Sequence, residues 1–156
     1  MTHRTNSVIA VRRGEGEALW MFGCLTTIRA EHENIGAVVE HKCPRAMATP
    51  VHVQPDDYEA FYVLEGEITV FAEGKSTTLT PGSYVYVPPG TPHAWRVESD
   101  EATVLNLTTN QHANWFRALG QPALQPTLPP PAPPDMDRVL AVSDTYNVQI
   151  VGPPPD

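Results

Sequence analysis

Apolar and polar positions along this chain alternate in short bursts of strand length. "GAVVEHK" (Gly36 to Lys42) is a brief apolar run, and "EAFYVLE" (Glu59 to Glu65) is rich in aromatic and branched residues before it meets Gly66. Such side chains suit a pleated, half-buried backbone, and glycine suits the turn that follows. "ITVFAEGKSTTL" sets Glu73-Gly74 between two short strands as a hairpin turn. "PGSYVYVPPGTPHAWRV" then reads as a turn, a Tyr/Val strand, a second Pro-rich turn and another strand, with "ATVLNLTT" (Ala102 to Thr109) as one more. Strands of about six residues, punctuated by turn residues roughly every eight to twelve positions, predict an all-β sandwich or small barrel.

Helical patterning arrives late. "NQHANWFRALG" (Asn110 to Gly120) predicts a two-turn helix stopped by Gly120. Asp135, after Pro134, is placed as an N-cap, with apolar Met136, Val139, Leu140 and Val142 following. "VQIV" (Val148 to Val151) predicts a final strand, and no internal repeat interrupts the order.

Length and composition narrow this picture. The 156 residues suit one domain, 1–156, with a barrel core at about 36–109 and a helical, Pro-rich extension at about 110–156. Of the 17 prolines, many fall in the run from Pro126 to Pro134 and in the terminal "GPPPD", which predicts one stiff connector rather than disorder. The formal charge is −8, and no Lys/Arg run exceeds Arg12-Arg13, so nucleic acid and anionic membrane are not expected partners. The first residues lack the apolar stretch of a signal peptide, and no window resembles a membrane span. Cys24 and Cys43 belong to no CxxC pair and read as small buried hydrophobes in a reducing compartment, hence a cytoplasmic protein.

The candidate chemistry lies in "TPVHVQPDDYEAFYVLEGE" (Thr49 to Glu67). Residues two apart on a strand share a face, so His52 and Gln54 point the same way. Glu59 starts the next strand after the "PDD" turn, and His93 directly follows the rigid "PPGTP". Imidazole nitrogens and a carboxylate converging inside a barrel make a divalent-metal site. A lone histidine is more often a hydrogen-bonded structural residue, the role assigned to His3, His32, His41 and His112. Asp56-Asp57 reads as a solvated turn. Phe61, Tyr62, Tyr84, Tyr86 and Trp95 read as barrel packing. Phe61, Tyr62, Tyr86 and Trp95, with Gln54, are the candidates for lining a ligand pocket. Trp20 and Trp115 read as core or cover.

These stretches resemble the two signature motifs of the cupin superfamily, G(x)5HxH(x)4E(x)6G and G(x)5PxG(x)2H(x)3N. His52, Glu59 and Gly66 stand at the positions of the first motif, and Gly82, Pro88, Gly90 and His93 at those of the second. The resemblance implies a double-stranded β-helix, a jelly-roll barrel, with one or two short C-terminal helices. It extends from about residue 18 to 155, where the chain looks like single-domain, quercetin dioxygenase-like bacterial cupins. A cupin metal is typically held by three histidines and one glutamate. Here Ala46 replaces the first glycine, Gln54 the second histidine and Val97 the closing asparagine. What remains for the metal is His52, Glu59 and His93, with Gln54 as a weak ligand or a hydrogen-bonding partner of substrate.

The resemblance implies an enzyme acting on a small, aromatic or polyketide-like molecule at a divalent metal (iron, nickel, manganese, copper or zinc). Glu59 would be ligand and general base, and His52 and His93 would hold the ion. The missing histidine keeps a second reading open, a non-oxidative cyclase, isomerase or dehydratase without metal; a third is a metabolite-binding cupin without turnover. A homodimer is expected, paired through the apolar arm "ALWMFGCL" over a bare strand edge.

Overall fold

Two hairpin turns illustrate how local residue choice sets the strand boundaries. Phe22 and Gly23 have φ of 52° and 74°, and Glu73 and Gly74 have φ of 54° and 70°. Two consecutive left-handed residues make the tight turn whose twist matches that of the flanking strands. The computed structural model describes residues 7–156; His3 lies outside them. The first turn joins β1 (Glu17–Met21) to β2 (Cys24–His32), and the second joins β6 (Ile68–Ala72) to β7 (Lys75–Leu79).

The remaining strands are β3 (Gly36–Pro44), β4 (Val51–Val53), β5 (Glu59–Glu65), β8 (Tyr84–Val87), β9 (His93–Val97), β10 (Glu101–Thr108), β11 (Gln121–Pro122) and β12 (Gln149–Gly152). They form two antiparallel sheets, one ordered β11-β1-β2-β3-β10-β5-β8 and the other β12-β4-β9-β6-β7. The inner faces meet in a shared core in which Phe61, Val63 and Val104 of the first sheet pack with Ile68, Val70, Trp95 and Val97 of the second. This is a jelly-roll barrel, as the family resemblance implies, and it agrees with the sandwich or small barrel that the strand spacing predicts. The sequence reading placed no strand before Gly36; β1 and β2 extend the larger sheet beyond that point.

Both helices lie where their patterns predict. Helix α1 (Asn110–Leu119) starts at Thr109, whose side chain accepts from the His112 backbone N–H, and stops at Gly120. Helix α2 (Met136–Thr145) is capped by Asp135, which accepts from the Arg138 backbone N–H. The buried face of α1, with Ala113, Trp115 and Phe116, joins Leu19, Met21, Ile28 and Val39 in a second apolar cluster at one end of the barrel. None of the helices among the described residues is long and apolar enough to cross a membrane.

Three expectations change. The residues of "ALWMFGCL" serve their own barrel: Leu19, Met21 and Cys24 are buried, and β1 pairs with β11. Cys24 and Cys43 are not free thiols but a disulfide, with Cα atoms 4.4 Å apart. The antiparallel register that pairs Leu25 with Lys42 and Thr26 with His41, carried one step further, sets the two cysteines face to face. Disulfides persist in oxidising surroundings, so the argument from these cysteines to a reducing compartment no longer follows. Finally, the Asp56-Asp57 pair divides. Asp56 is exposed and accepts from Asn147, while Asp57 is buried and accepts from the Thr109 hydroxyl.

The bridge closes a loop with a sequence separation of 19 residues. On the chain-entropy account, a loop of that size adds about 3 kcal/mol. Reduction, or Cys24→Ala with Cys43→Ala, is expected to lower the urea midpoint accordingly. Two titratable thiols in untreated protein, with an unchanged midpoint after reduction, would contradict the bridge.

Candidate metal centre

Strands β4 and β9 are neighbours, and their register sets His52 directly opposite His93. The two rings lie 4.3 Å apart between centroids. Each ring is oriented by the same local device, an Nδ1 that meets a backbone carbonyl two residues earlier. His52 Nδ1 lies 2.9 Å from the Pro50 oxygen, and His93 Nδ1 2.9 Å from the Thr91 oxygen. A carbonyl only accepts, so both Nδ1 atoms carry protons and both Nε2 atoms face the barrel interior. Glu59, at the start of β5, completes the group: ligand atoms of His52, Glu59 and His93 lie within 4.8 Å of one another.

Glu59 is the most heavily partnered side chain of the site. Its Oε2 lies 3.0 Å from His93 Nε2, its Oε1 lies 2.7 Å from His112 Nε2, and Asn106 Nδ2 donates to Oε1 at 3.3 Å. Burial pushes the carboxyl upward, but the charges and hydrogen bonds of His112 and His93 outweigh it and hold it well below the ordinary carboxylate range. The same pairing acts on His93 in the opposite sense. Burial presses its proton off, and the Glu59 carboxylate retains it, so that its pKa is raised. An imidazolium thus neutralises the buried carboxylate, and a cation entering the site would displace that proton.

Gln54 lies buried with its side chain turned towards α1. Its amide nitrogen lies 2.8 Å from His112 Nε2, so the side chain that replaces the motif's second histidine faces a histidine arriving from α1. An amide can present a donor or an acceptor there without changing charge. His112 is placed by its helix: Thr109 Oγ1 donates to Asp57 and accepts from the His112 backbone N–H at 3.0 Å. The His112 ring stacks on Trp115 at 17° between planes. On the other side, Asn106 reaches His41 Nε2 at 3.2 Å, and His41 Nδ1 meets Thr26 Oγ1 at 2.9 Å.

A small cavity of about 40 Å³ adjoins His52 and Glu59. Trp95 lines it, as expected, because it shares the inward face of β9 with His93. Phe61 is fully buried behind Trp95, 5.6 Å away between ring centroids, rather than on the cavity wall. Tyr62 and Tyr86, expected as pocket walls, are 41% and 52% exposed on the outer surface. The reason is period two: Glu59 points inward, so Tyr62, three positions on, points outward, and Tyr86 pairs with outward Ala60. Tyr84, opposite Tyr62, is outward for the same reason.

Sequence reasoning missed His41, Asn106, His112, Trp115 and Phe116. Alternation could have flagged the first two. His41 lies on the face of β3 with Val39 and Cys43, and Asn106 on that of β10 with Val104 and Thr108, each a polar residue within a buried row. Nothing local marks His112, which meets Glu59 only because α1 folds back over the barrel.

The cupin domain family matches residues 40–109. Quercetin 2,3-dioxygenase of Bacillus subtilis (strain 168) is 30% identical over 117 residues, covering 72% of this chain and 34% of that protein, so the chain spans about a third of its curated relative's length. The chain belongs to the cupin superfamily. Solved structures share its fold. KdgF from Halomonas sp. has a TM-score of 0.61 at 21% identity, covering 67% of this cupin and 94% of that chain. A predicted oxalate decarboxylase from Thermotoga maritima has a TM-score of 0.58 at 18% identity, covering 65% and 98%. At these identities the likeness is one of fold.

The buried histidines of this cupin dictate a response to acid. Burial lowers both His41 and His52 to about 4, with the His93 charge adding to the effect at His52. Their folded values lie below the ordinary 6.5, so the unfolded chain takes up protons first as pH falls. Their contribution is complete above about 6.5 and is lost on the way to about 4, roughly 3 kcal/mol each in the metal-free protein. His93, raised, loses its contribution only on the alkaline side, and Glu59, lowered, only below the ordinary carboxylate range. Thermal unfolding of chelated protein is therefore expected to fall steeply between pH 6.5 and 4, with His52→Gln removing about half the slope. A flat profile across that interval would show that these rings do not stay neutral in the fold.

Proposed function

We propose that this cupin is a metal-dependent small-molecule enzyme of the dioxygenase-like kind, acting through His52, Glu59 and His93. The observation that carries this reading is the convergence of their ligand atoms within 4.8 Å, with both imidazole Nδ1 atoms tied to backbone carbonyls. Two imidazole nitrogens and one carboxylate oxygen form a donor set that iron, nickel, manganese, copper or zinc accepts, so the residues present fit a divalent ion. When bound, such an ion supplies Lewis acidity towards a substrate oxygen.

The chain's own groups do the rest. His112 and Asn106 hold Glu59 Oε1, and Oε2, whose partner is His93 Nε2, is the atom that takes a proton from a substrate hydroxyl. Trp95, Trp115 and Phe116 wall the adjoining cavity, exclude water from the carboxylate and offer flat apolar surface to an aromatic or polyketide-like body. We take the whole chain as one functional domain, with α1 part of the site.

A second reading is favoured by the proton-bearing line His93–Glu59–His112, whose links measure 3.0 and 2.7 Å. A base beside two imidazoles can remove a proton from one substrate atom and return it to another, the chemistry of an isomerase or cyclase.

Metal analysis of the purified protein, followed by titration with zinc, tests the first reading. Glu59→Ala and His93→Ala are each expected to weaken metal binding at least roughly 100-fold. His112→Ala, which frees Glu59 Oε1, is expected to weaken it about 10- to 100-fold. Gln54→His sets a second imidazole against His112, so it is expected to tighten binding only in combination with His112→Ala. Oxygen uptake with flavonols and single-ring phenols then separates oxidative from proton-transfer chemistry. Absence of divalent-ion binding would sink the first reading and leave the second.

A further inference from the structure

Asn106 is fully buried on β10, and its side-chain nitrogen serves two partners, Glu59 Oε1 and His41 Nε2. Its oxygen has none: Asn106 Oδ1 and Asn110 Oδ1 are the buried side-chain atoms without a hydrogen-bond partner among the described residues. Of the two asparagines, Asn106 lines the cavity beside His52 and Glu59 and Asn110 does not. Buried polar atoms are nearly always satisfied, so an orphan on a cavity-lining residue marks a place where something is held.

The orphan is not an arbitrary choice of amide orientation. Turning the amide end for end would press Oδ1 against the Glu59 carboxylate, acceptor on acceptor. It would also take from both Glu59 and His41 the donor they now share. His41 can accept from Asn106 because its other nitrogen, Nδ1, can donate to Thr26 Oγ1. The network therefore fixes the nitrogen towards Glu59 and His41 and leaves the oxygen unpaired on a residue that lines the cavity. Other acceptors line this space with it, the Glu59 carboxylate and His52 Nε2, whose ring proton is used on Pro50. The walls between them are aromatic and thioether side chains, Trp95, Trp115, Phe116 and Met47 among them. A cavity with apolar walls and converging acceptors complements a flat apolar molecule that brings its own donor.

We propose that Asn106 determines ligand specificity, its Oδ1 accepting a hydrogen bond from a hydroxyl carried on a small aromatic ligand in this cavity. The proposal rests on the cavity's being the active site of the function proposed above. It assigns a role to a residue outside both cupin motifs and predicts discrimination between a hydroxylated ring and its methyl ether. Such discrimination arises because the ether leaves Oδ1 buried and unpaired, whereas the phenol satisfies it.

Phenol and anisole are the probes, titrated calorimetrically into the protein as purified and again after chelation. Phenol is expected to bind about tenfold more tightly than anisole in both preparations, a factor of the size that one buried hydrogen bond supplies. In Asn106→Leu, and in the smaller Asn106→Ser, the ratio is expected to fall to within about twofold, with anisole bound at least as well as by the wild type. Equal affinity in the wild type, no binding of either probe at millimolar concentration, or a ratio preserved in both variants would overturn the proposal. A ratio present in the purified protein and lost on chelation would assign the hydroxyl to the metal, and would overturn it as well. Failure of the metal reading looks different: no divalent ion would bind, while the phenol preference of the chelated protein would still decide the role of Asn106.

Discussion

The Glu59 carboxylate, buried in the barrel interior, is the constraint around which the site is arranged. A carboxylate removed from water is costly unless positive charge and hydrogen-bond donors replace its hydration. Here the replacement comes from three directions in the fold: His93 on β9, Asn106 on β10 and His112 on α1. Each partner is in turn held by something else. Thr91 orients His93, His41 shares the Asn106 amide, and Thr109 and Gln54 fix His112. The site is thus a continuous polar network from Thr26 to Gln54 inside an otherwise apolar barrel, and a carboxylate so held stays ionised and fixed in direction.

Closure by α1 gives that network its environment. Through Trp115 and Phe116 the helix covers one end of the barrel, and through His112 it reaches the carboxylate. The same residue that fills a hydrogen-bonding position thereby becomes part of the lid. Position 54 follows from this arrangement. With an imidazole already delivered from α1, a second one at 54 would have to share the same space and the same proton, whereas an amide adapts to either state of its neighbour. The departure from the family motif and the helix contact are two sides of one packing solution.

Much of the protein was legible in the chain. Strand-length alternation, the Glu73-Gly74 turn, the stop at Gly120 and the Asp135 cap are local features, and local sterics and hydrogen bonding decide them without reference to the rest of the fold. The spacing of His52, Glu59 and His93 was legible as a resemblance to the cupin motifs, and the cross-strand pairing of His52 with His93 sets them together in space. Period two alone sends Tyr62 and Tyr86 outward and brings His41 and Asn106 inward, so those assignments were available from the chain as well.

The tertiary structure decided what depends on long-range approach. The Cys24–Cys43 bridge needs the register between β2 and β3, and a shift of one residue would have separated the thiols. The burial of the N-terminal arm needs the partner strand β11, about a hundred residues further along the chain. His112 meets Glu59 across a sequence separation of 53 only because α1 turns back over the barrel mouth. A sequence pattern reports which face of its own element a residue occupies; which other element packs against that face is settled by the collective burial of the core. The strands from β3 onward and the spacing of His52, Glu59 and His93 were therefore written in the chain, while the partners that charge, orient and enclose Glu59 arose only when the sheets and α1 came together.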